Sequence, residues 1–505
     1  MTDNRAQPGR CWPIERRSGP RPGPPRGRTI SAYLSRAVPE FARLRSTAFS
    51  ETTPSADPPP ASEVDGALAI AARCNHFGFC TSTCPTYALS HDEHESPRGR
   101  IALISKMLSS NTRPESEAVK HIDSCLSCLA CMSACAVKVD FMHLIDHARA
   151  HVERHYRRPL KERCLRSFVG WIIPRRKLFR IAGRLGLWVR RLRIPLPASL
   201  RSIVDLLPLT GFAAGGDLEA RTFRSGPVRR RVALLAGCAQ RVLAPRINIA
   251  TVNLLVRHGC EVVVAPGVEC CGSLELHLGH GAAARRAAKR NIDAWSKGIS
   301  QYGLDAIITT ASGCGTTVKD YGHLFKDDPE YSDKARRVAG LSRDITEFLG
   351  VADLRFTDSH VGCSVAYHDA CSLRNGQRVT SQPRNLLRAA GFRVHDVPES
   401  YFCCGSAGTY NLLQPETART LGQRKARHVS STGADILAVG NIGCITQLSR
   451  YTNTPVVHTV ELLDWATGGE PPAAIAGWAP RHPQPFPENR SAIGEDRESP
   501  GVGMW

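Results

Sequence analysis

The sequence predicts an α+β segment followed by an α/β region: a helical, cysteine-dense N-terminal domain, then two duplicated cysteine-rich α/β units with parallel sheets, between disordered ends. Three observations predict it. Cysteines crowd at short fixed spacings between 74 and 135. From 228 onward, short runs rich in Val and Ile alternate with helical segments, the pattern of parallel strands covered by helices. One spacing also occurs twice: Cys238 is followed after 31 residues by Cys270-Cys271-Gly272, and Cys371 after 31 residues by Cys403-Cys404-Gly405, with single cysteines later at 314 and 444. Equal spacing across unlike sequence marks a duplicated unit.

Taken in order, residues 1–62 ("RRSGPRPGPPRGR", "TTPSADPPP") are too rich in Pro and Arg to bury a core and read as a disordered extension, with "ISAYLSRAVPEFARL" as a short helix within it. Residues 63–150 hold the first cysteines among short helical pieces. Residues 151–227 are a basic amphipathic helical region ending in the linker "LTGFAAGGDLEA". The first unit covers 228–350, with strands in "RRVALLAG", "CEVVVAP" and "LDAIITTAS" and helices near 245–258 and 282–297. The second covers 351–468, with strands in "SVAYHDA", "FRVHDVP", "ADILAVGN" and "PVVHTVELL" and helices near 383–390 and 415–431. Residues 469–505 read as a disordered tail.

The net charge of +20 is concentrated in two segments. Residues 1–60 carry ten Arg against five acids, and residues 157–201 carry fourteen Lys and Arg against Glu162 alone. No apolar run approaches the roughly 18 residues that span a bilayer, and no signal-peptide core follows the start, so a cytoplasmic location is expected. In a reducing compartment, nineteen cysteines read as metal-binding or redox groups rather than as a disulfide framework.

"CLSCLACMSAC" has the spacing C-x2-C-x2-C-x3-C at 125, 128, 131 and 135. Three thiolates at this spacing wrap a cuboidal iron-sulfur cluster, and in paired ferredoxin-type motifs the fourth sulfur crosses to the other cluster. A zinc knuckle is the alternative, but it takes two separated pairs of ligands. The crossover groups Cys84 with Cys125, Cys128 and Cys131 on a 4Fe-4S cluster, and Cys74 and Cys80 with Cys135 on a second. That second set is one thiol short, because Phe77 stands where the fourth is expected. Three readings stay open: a 3Fe-4S cluster with Phe77 filling the vacated corner, a 4Fe-4S cluster completed by His76 or solvent, or an empty site. The C-x5-C-x3-C-P spacing resembles the three-iron site of succinate dehydrogenase iron-sulfur subunits. Ala136 replaces the usual proline after Cys135.

Cys238, Cys314, Cys371 and Cys444 each follow a predicted strand, at the carboxyl edge where parallel sheets gather ligands. Adjacent thiols at 270/271 and 403/404 cannot face one way in an extended strand, so each pair must sit on an irregular turn that the next glycine permits. Each unit therefore offers four sulfurs, 238, 270, 271 and 314 or 371, 403, 404 and 444, for an iron-sulfur or zinc site. Cys11, Cys164, Cys260 and Cys363 lie outside the repeat and read as ordinary buried thiols.

With both motifs in place, the chain resembles the iron-sulfur subunit of bacterial glycolate oxidase (a glycolate dehydrogenase). The wider group includes the iron-sulfur subunits of heterodisulfide reductase and anaerobic glycerol-3-phosphate dehydrogenase. "CTSTCPTY", "SPRGRIALI", "CLSCLAC", "LLAGCAQRVLAP", "ECCGS", "SGCGTTVKDYGHL", "CCGSAGTYNLLQP" and "GNIGC" carry the resemblance over about 63–468. It implies two ferredoxin-type clusters, two cysteine-rich CCG units, and electrons received from a separate FAD subunit that oxidises glycolate to glyoxylate. Lactate or glycerol-3-phosphate dehydrogenase subunits, or a thiol-disulfide enzyme, are the alternatives. Relatives carry Cys where this chain has Phe77, and heterodisulfide-reductase relatives end each unit with a further C-x2-C cysteine, whereas "SGCGTT" and "NIGCIT" offer one.

No G-x-G-x-x-G follows a strand, so neither flavin nor NAD is expected in this chain and a flavin-bearing partner is needed. Clusters pass single electrons, which suits linking a flavin to a membrane quinone pool. The Arg-rich 157–201 segment, interleaved with "FVGWII" and "LFRIAGRLGLWV", is read as lying on an anionic membrane surface or packing on the partner subunit. Nucleic acid is not expected. His368 and Asp369 beside Cys371, and Lys319, Asp320 and Tyr321 beyond Cys314, are candidates for proton transfer near a quinone or for holding loops.

Overall fold

The computed structural model describes residues 61–110, 113–192, 218–357 and 362–476, with a few positions between 194 and 207. Cys11, the helix expected in "ISAYLSRAVPEFARL" and most of the expected linker lie outside the described residues.

The N-terminal part is helical. Ser96 accepts from the Gly99 amide and Pro97 occupies the first turn, which starts the Pro97–Ser109 helix. Asp140 accepts from His143 N and starts the Phe141–His155 helix. Ile101, Ile104 and Leu108 on the first helix meet Leu144, Ile145, Ala148 and Val152 on the second in one buried core, with Ile122 between them. These helices run to 13 and 15 residues, longer than the short pieces expected, because apolar residues recur every three or four positions.

The remainder contains two sheets of matching topology. In the first, β1 (Thr222–Phe223), β2 (Arg230–Leu235), β3 (Cys260–Val263), β4 (Ala306–Thr309) and β5 (Ser342–Asp344) lie in the order β1-β3-β2-β4-β5. All pairs are parallel except β1 on the β3 edge. In the second, β6 (Ser364–His368), β7 (Arg393–Asp396), β8 (Ile436–Val439) and β9 (Val456–His458) lie in the order β7-β6-β8-β9, all parallel. Register repeats as well: Val232 pairs with Val262 and Ala306, and Val365 with Val394 and Ile436.

The central strands are buried on both faces, β4, β6 and β8 throughout and β2 from Val232 onward, as parallel sheets require. Val232, Leu234 and Ile308 share one continuous core with Val365, Tyr367 and Ile436, so the units are fused through facing sheets. The alternate residues Ala233, Leu235 and Ile307, or Ala366, Leu437 and Val439, pack on the outer helices.

Three expectations are corrected. "PVVHTVELL" is a strand only to His458, after which a capping box, with His458 accepting from Val460 N and Glu461 returning to the His458 amide, turns Thr459–Ala466 into a helix. Cys164 is exposed rather than buried, because it lies on the outer side of the Leu160–Ile172 helix. Cys260 and Cys363 are buried in the shared core. The ordered chain also runs past 468, where Ile475 packs into that core.

Candidate metal centres

The "CLSCLAC" loop is wound by local backbone choice. Ser127 and Leu129 adopt left-handed φ of 48° and 61°, which folds the segment back on itself between its cysteines. Cys84, Cys125, Cys128 and Cys131 consequently line one small, largely apolar cavity. Arg100, only 1% exposed, stands beside them, donating to Cys84 Sγ at 3.8 Å, Glu95 Oε2 at 2.5 Å, His121 O at 2.7 Å and Ser124 Oγ at 2.8 Å. Arg149 donates to Cys125 O at 2.6 Å, which fixes the loop on the Phe141–His155 helix.

Burial pushes the Cys128 and Cys131 thiols well above the usual range, and neighbouring sulfurs add to it. Bare thiolates are therefore unfavourable there, and a bound cation is what would ionise them. Four converging sulfurs, a buried cation and amide donors such as Ser127 N to Cys125 Sγ at 3.5 Å suit an iron-sulfur cluster.

Cys74, Cys80 and Cys135 form the second set. Burial raises Cys80 to about 11, with Cys74 and Cys135 close enough to raise it further. Phe77 does not fill the vacant corner as expected: it is 62% exposed and packs beside Phe79, with ring centroids 6.3 Å apart. The cause is backbone geometry, since His76 and Gly78 both have positive φ and Arg98 holds the His76 carbonyl at 3.5 Å, turning residue 77 outward.

In each unit the first and last cysteines flank the point where the strand order reverses: Cys238 follows β2 and Cys314 follows β4, while Cys371 follows β6 and Cys444 follows β8. The doublets sit on turns closed by glycine. Gly272 has φ 90° and Gly405 φ 87°, and a Cβ there would meet Ala284 O at 3.0 Å or Ala418 O at 2.7 Å. Their amides point to Cys270 Sγ at 3.5 Å and Cys403 Sγ at 3.4 Å.

Cys238, Cys270, Cys271 and Cys314 contact one another in series, and Cys270, facing both Cys238 and Cys271, is held well below the usual thiol range by those contacts. In the second unit Cys371 Sγ lies 3.8 Å from Cys403 Sγ, and Cys404 lies between Cys403 and Cys444. Burial holds His368 neutral, its pKa lowered to about 3.

The four-cysteine cavity abuts the second unit. Cys128 packs with Cys403 and Cys371, and Asn375 in the π-turn Ser372–Gly376 donates to Cys128 O at 2.9 Å. That turn also meets the first unit, where Ser312 Oγ and Ser372 Oγ are 2.7 Å apart.

Most of the other polar candidates are engaged in ion pairs or hydrogen bonds. Asp369 is paired with Arg384 at 2.6 Å, Lys319 with Glu347 at 2.5 Å and Asp320 with His143 at 3.0 Å, and Tyr321 OH donates to Cys271 O at 2.8 Å. Sequence reasoning missed Arg100, Asn375 and the buried Lys425, whose Nζ donates to Glu399 O and whose charge lies near Cys404 and Cys403. Arg100 stands inside "SPRGR", yet nothing in that string shows that it reaches a sulfur.

Among family models, the 4Fe-4S dicluster domain matches residues 70–139, and the cysteine-rich CCG domain matches 232–319 and 365–449. The chain is 38% identical over 398 residues to the glycolate oxidase iron-sulfur subunit of Escherichia coli, covering 78% of this chain and 93% of that protein. It is 33% identical over 420 residues to the probable glycolate oxidase iron-sulfur subunit of Bacillus subtilis, covering 78% and 94%. It is also 29% identical over 244 residues to lactate utilization protein A of Bacillus subtilis, covering 46% of this chain and 99% of that protein.

Proposed function

This chain belongs to the family of glycolate oxidase iron-sulfur subunits, and on that premise we propose that its cysteines form one electron path from a separate FAD subunit oxidising glycolate to glyoxylate toward the membrane quinone pool. The observation that carries the reading is that Cys128 shares one buried cluster with Cys403, with Cys371 packed against it, close enough for their charges to influence one another. Iron-sulfur groups supply one-electron carriers between a two-electron flavin and a quinone.

Cys84, Cys125, Cys128 and Cys131 hold a 4Fe-4S cluster, and Cys74, Cys80 and Cys135 a 3Fe-4S cluster whose fourth corner has no protein sulfur. Phe77 and Phe79, both more than 60% exposed at that rim, form the docking edge for the flavin subunit. Each CCG unit uses its own four cysteines.

The Arg176–Arg191 helix supports membrane contact. No described helix is long and apolar enough to cross a membrane. Ile181, Leu185, Trp188 and Leu192, at helical spacing, are each more than half exposed, and arginines stand beside them. Such a helix lies in an anionic interface with its apolar stripe inward, on the inner face of the cell membrane.

Co-expression with flavin subunits tests the reading. Co-purification and glycolate-dependent dye reduction that is lost on Cys128→Ser are expected; reduction of dye with lactate and none with glycolate would assign the complex to the lactate alternative. Oxidised protein should give a three-iron paramagnetic signal that Cys80→Ser removes.

A further inference from the structure

His368 ends β6, is 1% exposed, and makes no hydrogen bond through either ring nitrogen among the described residues. A buried imidazole without partners is costly, because its ring nitrogens have given up their hydrogen bonds to water. Its neighbour Asp369 does not relieve it, since both carboxylate oxygens are taken by Arg384 at 3.0 and 2.6 Å. A ring nitrogen of His368 and the sulfurs of Cys404 and Cys444 instead lie within 4.8 Å of one another.

The fold does not demand a histidine there. The matched ranges begin at 232 and 365, which sets Leu235 opposite His368, each three residues before its unit's first cysteine. Leu235 packs on the outer face of its sheet in the same cluster as Cys271. An apolar side chain therefore satisfies the position in one copy, while the other copy places a nitrogen donor among thiols.

We propose that His368 is a metal ligand, binding through a ring nitrogen the same metal as Cys404 and Cys444 within an iron-sulfur group whose other ligands are Cys371 and Cys403. The inference rests on the reading of the second unit as a cluster site. Five donors strung from Cys371 to His368 exceed the four of a tetrahedral zinc and match a polynuclear group. A neutral imidazole in place of a thiolate removes a negative charge from the group, and histidine ligation of this kind raises reduction potential. Lys425, buried near Cys404 and Cys403, acts in the same direction. The second unit is thereby the more oxidising of the two, and it is the one that shares a buried cluster with Cys128.

The test uses the full chain prepared without air, with 15N-labelled histidine, and the variants His368→Leu, His368→Cys and Cys404→Ser. His368→Leu installs the residue that the first unit already folds around. Pulsed paramagnetic resonance of the reduced protein should show strong nitrogen coupling that changes to the 15N pattern on labelling and disappears in His368→Leu. His368→Cys should keep wild-type iron content with a lower midpoint potential for that signal. A coupling that survives His368→Leu, or its absence while the Cys404-dependent iron signal is present, overturns the ligand assignment alone. Iron content unchanged by Cys404→Ser, or zinc lost in its place, overturns the cluster reading of the second unit and the proposal with it.

Discussion

Raising the pH should undo the link between the cysteine-bearing helices and the first CCG unit. His143, on the Phe141–His155 helix, is bonded through Nδ1 to Asp140 at 2.5 Å and through Nε2 to Asp320 of the first unit at 3.0 Å, with His323 stacked on its ring at 3.5 Å. Burial opposes its charge, but the two carboxylates prevail and raise its pKa from 6.5 to about 10. The folded value lies above the unfolded one, so this stabilisation is complete below about pH 6.5 and lost as pH rises through about 10. At 1.36 kcal/mol per unit, the shift corresponds to about 5 kcal/mol at most, and sharing of the proton among coupled groups reduces this to about 2–5 kcal/mol. Scanning calorimetry of wild type and His143→Gln from pH 6 to pH 10 measures it. The melting temperature of wild type relative to the variant should fall by roughly 2–6 °C across that window, and thiol titration common to both cancels. A difference that stays flat would refute the assignment of His143 as a protonated bridge.

Arg100→Met removes the buried cation beside Cys84 and leaves Glu95 with His121 and Ser124 as partners; it should cost about 1–3 kcal/mol in urea unfolding, with a lower midpoint potential for the cluster signal that Cys84→Ser abolishes. Gly405→Ala drives a Cβ to 2.7 Å from Ala418 O at φ 87°, whereas Gly267→Ala meets nothing within 4 Å at φ 83°. The first should cost about 2–5 kcal/mol and the second about 1 kcal/mol, and equal melting shifts would refute the close approach. Replacing Leu185 and Trp188 by Ser should weaken binding to phosphatidylglycerol-containing vesicles at least tenfold, in a flotation assay, without altering iron content, since burying each side chain contributes roughly 1.5–3 kcal/mol.

The cysteine framework and the strand-helix alternation were legible because both are periodic in sequence: the doublets recur at one spacing, and Val-rich runs of four to six residues fall between helical segments. Phe77 was misread because its direction is set by Arg98, 21 residues away, through the backbone at His76. Thr459–Ala466 was misread because its cap is a histidine rather than Ser, Thr, Asp or Asn, and because Val457, Val460 and Thr459 favour strands in isolation. Arg100 and Asn375 act on cysteines through contacts that tertiary packing alone creates. His368 was noticed for its place beside Cys371, yet it meets Cys404 and Cys444 instead, since residues 368, 371, 404 and 444 come together only where the strand order reverses.

Duplication explains why the two units can differ in chemistry while keeping one fold. The scaffold terms are shared: strand order, register, glycine turns and four cysteines. An acidic residue before the third strand also serves both copies, with Asp305 accepting from Arg231 N at 2.6 Å and Asp435 from Ser364 N at 3.1 Å. Against that constant frame, the close approach of Gly272 to Ala284 and of Gly405 to Ala418 aligns those alanines, and therefore aligns Asn291 with Lys425, seven residues further on in each case. Asn291 is spent on Cys270 O and Tyr321 OH, at 2.9 and 3.2 Å, and so steadies the doublet without adding charge. Lys425 adds a buried amine near Cys404 and Cys403, and the proposed ligation by His368 would add a neutral donor where Leu235 offers none. Both departures would lower the net negative charge around the second set of sulfurs, which is the set that shares a buried cluster with Cys128. On the proposed electron path, both departures would make the second unit the better electron acceptor where it meets the Cys84, Cys125, Cys128 and Cys131 set.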